Sequence, residues 1–544
     1  MTSSKPSSQP TTMSPSNPAP DRHLRMPMLQ TPRWVLPLLC AAFFVLRPQQ
    51  AQADTLQVCK GTCPYTTIRA ALSAAQAGDT VWVRAGEYRE SEAVRLKPGV
   101  TLRGEDPQHP ELTVILADAG HAVIGTGKIL TRTCVLEGFT ITNISGRGIY
   151  IQNEATEIIR NNIISGCVTS YRGAAIRIDD EETRPIIQDN LFINNHSSDE
   201  GGAIYVQDAS PLIINNQFLL NVADRDGGAL VIRTIERPGQ QAQVMDNLFQ
   251  GNQAAAKGGA IYVERAQPAV QRNSVIANRA TAGAGIFVNG ASSVGRALLR
   301  GNHLEGNATW GNSEQSIGGA LVLSGGTDCE VDANTLANNL AGLGDGIYVE
   351  EAAPRLSNNV LTGNPVQLLV RDASPHIANN TFVGNGWPET VGIELLGSAS
   401  PAVLNNIIAL AGVGIRGDGA ASADIRFNDL WMNALADLSG VGSGPGNLSA
   451  DPLWVDPDGG DYHLTASSPL IDAGTDEGAP SLDADGEARP LDGDGDGVAS
   501  VDIGADEYLP LTPTPTLLST PTVTPSMTPS PTPARLYLPL IRKS

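Results

Sequence analysis

Apolar and polar residues alternate in short bursts along most of this chain, and the bursts recur. The stretch Gly201–Asn221, GGAIYVQDASPLIINNQFLLN, contains the unit: apolar runs at Ala203–Val206 and Leu212–Ile214, an Asn pair, and a third apolar spot at Phe218. Aligned on the second Asn, near-copies fall at Asn162, Asn190, Asn216, Asn247, Asn273, Asn302, Asn334, Asn359, Asn380, Asn406 and Asn428, with Phe139 as an atypical first member. Three residues before each anchor stands an aliphatic side chain, from Ile159 to Ile425. Two residues after it stands another apolar one, such as Phe192 or Phe382, whereas the residue between varies, as Gln217, Ser274 and Asp429 do. That period of two is a strand with one buried face.

The spacing between anchors ranges from 21 residues (Asn359 to Asn380) to 32 (Asn302 to Asn334), and the extra residues fall in turns. One such unit cannot bury its own apolar face, whereas stacked units can. Gly, Asn and Pro interrupt every run before a 3.6-residue pattern is established, which excludes helical repeats. The pattern predicts an all-β solenoid, a parallel β-helix of about twelve coils with three short strands each, forming a rod of roughly 55–60 Å. It also predicts that the anchor Asn side chains turn inward and hydrogen-bond from coil to coil. Gly201-Gly202 and their equivalents supply a turn that needs positive φ or a close backbone approach.

Before the repeats, residues 1–33 are rich in Ser, Pro and Thr, and Trp34–Leu46 is an apolar run followed by Ala51-Gln52-Ala53. This reads as an N-terminal extension and secretory signal over residues 1–53, with cleavage near Ala53, translation from Met26 or Met28 as an alternative start, and no membrane span in the mature chain. The expected location is extracellular or the cell surface. In that setting Cys59 and Cys63 are candidates for a local disulfide, while Cys134, Cys167 and Cys329 read as small buried hydrophobes. Tyr65–Ala77 has an apolar face of Ile68, Ala71, Leu72 and Ala75 and predicts a helix capping the first coil.

The entry YTTIRAALSAAQAGDTVWVRAGEYRE…KPGVTLRGE resembles that of secreted right-handed parallel β-helix proteins, a group that includes pectin-active enzymes and bacterial surface proteins. The GGAIYV repeats also resemble those of bacterial polymorphic outer-membrane proteins. The likeness covers roughly residues 55–435 and implies a right-handed helix of the pectin lyase-like kind over residues 54–435. Residues 436–510, which contain DPLWVDPDGGDYHLTASSPLIDAG, resemble a choice-of-anchor Q module. Its apolar spots Leu453-Trp454-Val455, Leu464, Leu470-Ile471 and Ile503 are expected to cover the C-terminal end of the rod. Residues 511–533 form a Thr/Pro-rich linker. Residues 534–544, ARLYLPLIRKS, form a short apolar tail that resembles a sorting or surface-retention signal.

Charge narrows the partners. The chain carries 36 Lys and Arg against 57 Asp and Glu, a net charge of −21. Such a surface repels nucleic-acid phosphates and anionic lipid, which excludes nucleic acid as a partner. No feature calls for an oligomer, and a monomer is expected.

Candidate chemistry lies in two places. Asp492, Asp494, Asp496 and Asp502, with the Val498 carbonyl, alternate with Gly as a flexible Ca²⁺ loop does. The acid falls one position early for the helix–loop–helix pattern, however, and a solvated acidic turn is the competing reading. Along one edge of the coils, Asp179, Asp180, Asp208, Arg233, Glu264 and Arg265 form a charged column, and the next column carries Tyr205 and Tyr262, candidates for stacking on sugar rings. Resemblance to pectin-type lyases implies carboxylates that hold Ca²⁺ and an Arg that abstracts a proton, whereas glycoside hydrolases need two carboxylates. The segments that complete a pectin methylesterase or polygalacturonase site are missing, so no catalytic residue is assigned. The first reading is a non-catalytic surface scaffold that presents its turns for adhesion or glycan contact. The alternative is a lyase, hydrolase or epimerase acting on acidic polysaccharide. What separates them is whether acidic and basic turn side chains converge on one surface.

Overall fold

The computed structural model describes residues 53–510, except Ala119, residues 235–239, residues 291–294 and Asn312. The chain winds through three parallel sheets of 15, 14 and 14 strands, so the rod has about fourteen coils rather than twelve. The difference lies at the start, where first-sheet strands Thr55–Val58, Thr80–Val83 and Thr101–Arg103 precede the coil of Phe139.

One coil shows the path. Ile186–Gln188 lies in the first sheet and Leu191–Ile193 in the second; after a longer turn, Ile204–Gln207 lies in the third. A two-residue strand, His196–Ser197, belongs to a small six-stranded sheet inside that longer turn. The corner between the first two sheets is the Asn pair. Its first member is left-handed, with φ of 52° at Asn161, 55° at Asp189, 55° at Asn215 and 56° at Asp246. Asn and Asp tolerate this region better than other side chains with a Cβ.

The second member points inward and builds the expected ladder. Asn190 Nδ2 donates to Asn216 Oδ1 at 3.1 Å, Asn216 Nδ2 to Asn247 Oδ1 at 3.1 Å and Asn247 Nδ2 to Asn273 Oδ1 at 3.0 Å. A second ladder through Asn195, Asn221, Asn252, Asn278, Asn307, Asn339 and Asn364 closes the next corner in the same way. Between the ladders, aliphatic columns and the ring stack Phe192–Phe218–Phe249, with centroids 4.7 and 4.6 Å apart, fill the core.

The paired glycines have separate roles. Gly201 holds φ at +67°, and a Cβ on Gly202 would sit 2.1 Å from Gly228 O of the next coil.

The N-terminal helix is shorter than expected, Ile68–Ala74, with Thr67 accepting the Ala70 N–H at 3.2 Å as its cap. Ile68, Ala71 and Leu72 are buried over the first coil, and Cys59 and Cys63 are bonded. At the other end the stack runs past residue 435: Ala436–Ser439 joins the third sheet, and Asn447 Oδ1 accepts the Asn428 N–H at 2.9 Å.

The C-terminal module does not lie over the rod's open end. Trp454, Leu464, Leu470, Ile471 and Ile503 pack on Val383, Ile407 and Ala409, outward-facing residues of the second sheet, so the module covers the flank of the last coils. Leu453 and Val455, expected to be buried, are exposed. A buried Arg489–Glu507 pair at 2.9 Å, with Arg489 Nη2 donating to Gly504 O at 3.0 Å, holds the module's interior. The leader, the linker and the tail lie outside the described residues apart from Ala53. No helix among the described residues is long and apolar enough to cross a membrane.

Candidate functional site: the charged face of the third sheet

Third-sheet strands alternate inward aliphatic and outward polar residues. Ile176, Ile204, Leu230 and Ile261 stack in register toward the core, and so do Ile178, Val206, Ile232 and Val263. The outward columns are Arg177–Tyr205–Val231–Tyr262 and Asp179–Gln207–Arg233–Glu264. The predicted Asp179, Arg233 and Glu264 therefore do share one line.

Asp180, Asp208 and Arg265 come one residue later and take left-handed conformations, with φ of 76°, 56° and 46°. They turn off the face. Asp180 Oδ2 accepts the Asn153 N–H at 3.1 Å, and Asp208 Oδ2 accepts Gln207 Nε2 at 2.9 Å.

Tyr205 and Tyr262 correct the expectation of a sugar-stacking column. Their exposures are 0% and 2%, because the turn before each strand folds back over the rings and packs them with Val231, Phe287, Val322 and Tyr348. The Arg233 guanidinium lies 5.4 Å from the centre of the Tyr262 ring and that of Arg172 5.2 Å from the centre of the Tyr205 ring.

The folded-back turn brings in residues that the sequence pattern does not single out. Glu200, 0% exposed, lies among Arg233 Nη2 at 2.8 Å, Arg172 Nε at 3.3 Å and Arg225 Nη2 at 3.7 Å. Arg233 Nη1 continues to Glu264 at 2.6 Å, and its Nη2 lies 3.9 Å from Asp226. Asp199 pairs with Arg172 at 3.1 Å and Arg225 at 3.0 Å. Arg172 Nη1 donates to the Tyr205 hydroxyl at 3.0 Å. Glu200 Oε2 accepts no hydrogen bond and Arg233 Nε donates none, although both atoms are buried.

Burial raises the Glu200 carboxyl above the usual range against the pull of Arg233 and Arg172, and it raises Asp226 against Lys257 and Arg233. Acidic and basic groups from successive coils thus converge on one surface. Arg225 is its most open guanidinium, with Arg172 partly open beside it.

One coil toward the N-terminus the same face carries a second group. The Tyr150 hydroxyl donates to Asp179 at 2.9 Å, and Arg177 Nε donates to the same carboxylate at 2.7 Å. Arg147 Nη1 lies 3.3 Å from His121 Nδ1. Burial and the neighbouring Arg147 and Arg177 push the His121 imidazole down to about 4, so it is neutral at pH 7. A signal for this face exists in the sequence: the residue just before each turn glycine is Arg172, Glu200, Asp226 and Lys257 in successive coils.

The Asp-Gly loop is arranged differently from its sequence reading. Oxygens of Asp472, Asp492 and Asp494 lie within 4.8 Å of one another. Asp496 Oδ1 instead accepts the Val498 N–H at 2.7 Å, and the Val498 side chain is exposed. Asp502 is buried, with its oxygens accepting the Asp472 and Tyr508 N–H groups at 2.7 Å each, so it does not join the set. Asp472, too far away in sequence to be read as part of the loop, replaces it. Three carboxylates with lone pairs to spare fit a hard cation of the Ca²⁺ type, and the five-residue set expected from the sequence does not assemble.

Fold and charged face together define a parallel β-helix with a charged face on one sheet. The chain belongs to the right-handed β-helix family: the model described as "Right handed beta helix region" matches residues 125–308 and 284–443. No curated protein matches the sequence.

Among solved structures it is similar to the catalytic unit of a thermostable GH87 α-1,3-glucanase from Streptomyces thermodiastaticus strain HF3-3. Identity is 14% and the TM-score 0.32, over 70% of this chain and 65% of that one, so the chain spans less than two thirds of that unit. It is also similar to pectate lyase Pel9A (11%, TM-score 0.27, 84% and 97% covered) and to the A-module of the Azotobacter vinelandii mannuronan C-5 epimerase AlgE4 (14%, TM-score 0.26, 71% and 94% covered). The likeness is one of fold.

Proposed function

We propose that the chain is a polysaccharide-active β-helix protein whose third-sheet face takes an acidic polysaccharide, the alternative of the two readings drawn from the sequence. The observation that carries this is Glu200, a fully buried carboxyl set among three arginines, with Oε1 on Arg233 and Arg225 and Oε2 ion-paired with Arg172 Nε at 3.3 Å. Arg225 and Arg172 suit the carboxylates of a uronate chain, because a guanidinium meets a carboxylate through paired N–H groups. A carboxyl held above its usual range keeps its proton to higher pH than an ordinary one, which suits a proton-transfer group. Lyase, epimerase and hydrolase chemistry all draw on that pair of roles.

The scaffold reading has its own observation. Each arginine around Glu200 already faces a carboxylate, and the aromatic rings are covered, which suits a structural brace. Export to the cell surface, kinship of the GGAIYV repeats with polymorphic outer-membrane proteins and the anchor-type role of residues 436–510 belong to this proposal as well.

The test incubates the full chain with polygalacturonate, alginate and hyaluronan, and follows unsaturated products, new reducing ends and C-5 inversion. Turnover that Glu200→Gln abolishes, with KM raised by Arg225→Gln, supports the proposal. Saturable binding without product on any of them returns the protein to the scaffold reading.

A further inference from the structure

The C-terminal module holds a nitrogen–oxygen group apart from the Asp-Gly loop. In its hairpin of Trp454–Asp456 and Asp461–Leu464, Tyr462 and Leu464 pack with Trp454, so Asp461 and His463 share the outer face. Asp461 Oδ1 accepts the His463 backbone N–H at 3.1 Å and lies 2.5 Å from ring Nδ1, which fixes the ring and turns Nε2 the other way. There Nε2 meets Asp485 Oδ2 at 2.7 Å. Asp483 sets the turn that carries Asp485, because its Oδ1 accepts the N–H groups of Asp485, Gly486 and Glu487 at 3.0, 2.9 and 2.8 Å.

The third member is Asp506, which is 8% exposed. Its Oδ2 accepts the Leu464 N–H at 2.7 Å. Its Oδ1 meets no donor among the described residues and stays open to the cavity that Asp506 lines. A buried carboxylate with a free oxygen is costly unless a donor or a cation meets it. One ligand atom from each of His463, Asp485 and Asp506 lies within 4.8 Å of the others. All three residues line the cavity, of about 490 Å³, which Thr335, Val360 and Thr362 of the second sheet also border.

The charges there do not balance. A protonated His463 brings one positive charge against the carboxylates of Asp461, Asp485 and Asp506, with Asp483 beside Asp506. Arg489, the other cation near Asp506, is paired with Glu507 at 2.9 Å. A divalent cation in place of the ring proton offsets more of this negative charge. A carboxylate behind one ring nitrogen is the usual way of aiming a metal-binding His. One ring nitrogen with two carboxylates suits a borderline ion such as Zn²⁺, whereas Ca²⁺ takes an all-oxygen shell.

We propose that His463 Nε2, Asp485 and Asp506 bind a divalent metal ion of the zinc type at the mouth of this cavity, with Asp461 orienting the ring. Three protein ligands leave a coordination position toward the cavity for water or a small oxygen ligand. The ion ties together the hairpin strand, the Asp483 turn and the segment of Asp506. The site is separate from the Asp472, Asp492 and Asp494 group and from the Glu200 cluster, and it does not depend on the polysaccharide reading.

The probe is Co²⁺, whose visible absorption reports its nitrogen and oxygen ligands, titrated into the untagged full chain with millimolar calcium present to fill the Asp472 group. The expected result is one saturable equivalent that Zn²⁺ displaces and calcium does not. His463→Gln, Asp485→Asn and Asp506→Asn should each abolish the absorption bands at equimolar metal. Asp461→Asn should weaken binding about tenfold, through loss of the ring's partner. Asp458→Asn, an exposed acid of the same module, controls for general attraction to a negative chain and should change nothing. Asp485 is itself exposed, so its variant keeps the fold even if that of Asp506 does not. Displacement of Co²⁺ by calcium, or a His463→Gln variant that binds as the wild type does, would make the group an acidic patch and overturn the proposal. Absence of saturable binding overturns it too and leaves His463 as an imidazolium braced between Asp461 and Asp485.

Discussion

Asn247 Nδ2 donates to Asn273 Oδ1 at 3.0 Å, and the same oxygen accepts the Asn247 backbone N–H at 3.0 Å. A single amide oxygen thus satisfies two buried donors of the coil before it, while Asn273 Nδ2 donates to Val244 O, Gln271 O and Asn302 Oδ1. Every inner hydrogen-bonding group at this corner is matched by the neighbouring copy, so the repeat and the buried polar column enforce one another.

Asn273→Leu breaks that chain on both sides. It leaves the Asn247 backbone N–H without a partner, takes one acceptor from Asn247 Nδ2, which keeps Ile213 O and Met245 O, and takes a donor from Val244 O, and the expected loss is on the order of 3 kcal/mol. Ser274→Ala, on the outward side of the same strand, should change stability by less than ~0.5 kcal/mol. Denaturant titration of the two variants side by side checks this, and equal midpoints would contradict an inward ladder.

The Glu200 cluster should respond unevenly to loss of charge. Glu200→Gln removes the charged acceptor that Arg233 Nη2 meets at 2.8 Å and sets an amide donor among the guanidinium groups, while Arg172 and Arg233 keep Asp199 and Glu264, and it should cost about 2 kcal/mol. Arg225→Gln removes an exposed partner of the same carboxylate and should cost under ~1 kcal/mol. Thermal melts of both variants test the contrast. If the two fall by the same amount, Glu200 is not the buried centre of the network.

Features that repeat are the ones legible in the sequence. The inward Asn column, the aliphatic columns and the Gly-Gly turns recur at fixed offsets, because neighbouring coils must match atom for atom along the axis. The second ladder is equally regular, since Asn195, Asn221, Asn252 and Asn278 each stand five residues after an anchor. It is less conspicuous because the chain around it varies. Glu200 is harder to find: its turn changes length and character between coils, and its significance comes from arginines in the coils before and after. Tyr205 and Tyr262 alternate correctly as outward residues, but an outward residue is exposed only where nothing folds over the sheet, and the turn of the same coil does so here. Asp472 escapes a sequence reading because module residues distant in sequence meet only through an irregular fold.

Glu157 makes stability depend on pH. It is 0% exposed inside the N-terminal coils, neither carboxyl oxygen has a hydrogen-bond partner, and a Cβ on Gly125 would meet its Oε1 at 1.8 Å. Burial pushes the carboxyl from 4.5 up to about 7. The unfolded chain releases the proton near pH 4.5 while the folded chain holds it to about pH 7, so stability falls across that window and levels off above it. The contribution is on the order of 3 kcal/mol. Glu157→Gln should match the wild type near pH 4 and exceed it at pH 8. Chemical denaturation at several pH values gives the difference directly, and a constant difference from pH 4 to 8 would mean that the carboxyl is solvated or paired.

Calcium, if it binds, should act on the module and not on the rod. Asp472, Asp492 and Asp494 bring three carboxylates together, and their repulsion is offset only by N–H groups such as those of Gly493, Gly495 and Gly497. A Ca²⁺ ion shared by the three would remove that repulsion and tie the Asp492–Gly497 loop to the Asp472 segment. The coils depend on apolar stacking and amide ladders, which carry no net charge. Chelator should therefore lower a minor transition of the C-terminal module, leave the main melt in place and expose residues 492–498 to protease. Asp472→Asn or Asp492→Asn should reproduce the chelator's effect in the presence of calcium, whereas Asp496→Asn should not, because Asp496 stands outside the group. If millimolar calcium and chelator give the same melt and the same cleavage pattern, the Asp-Gly run is an acidic turn held by its own backbone, and Asp472 serves only to close it.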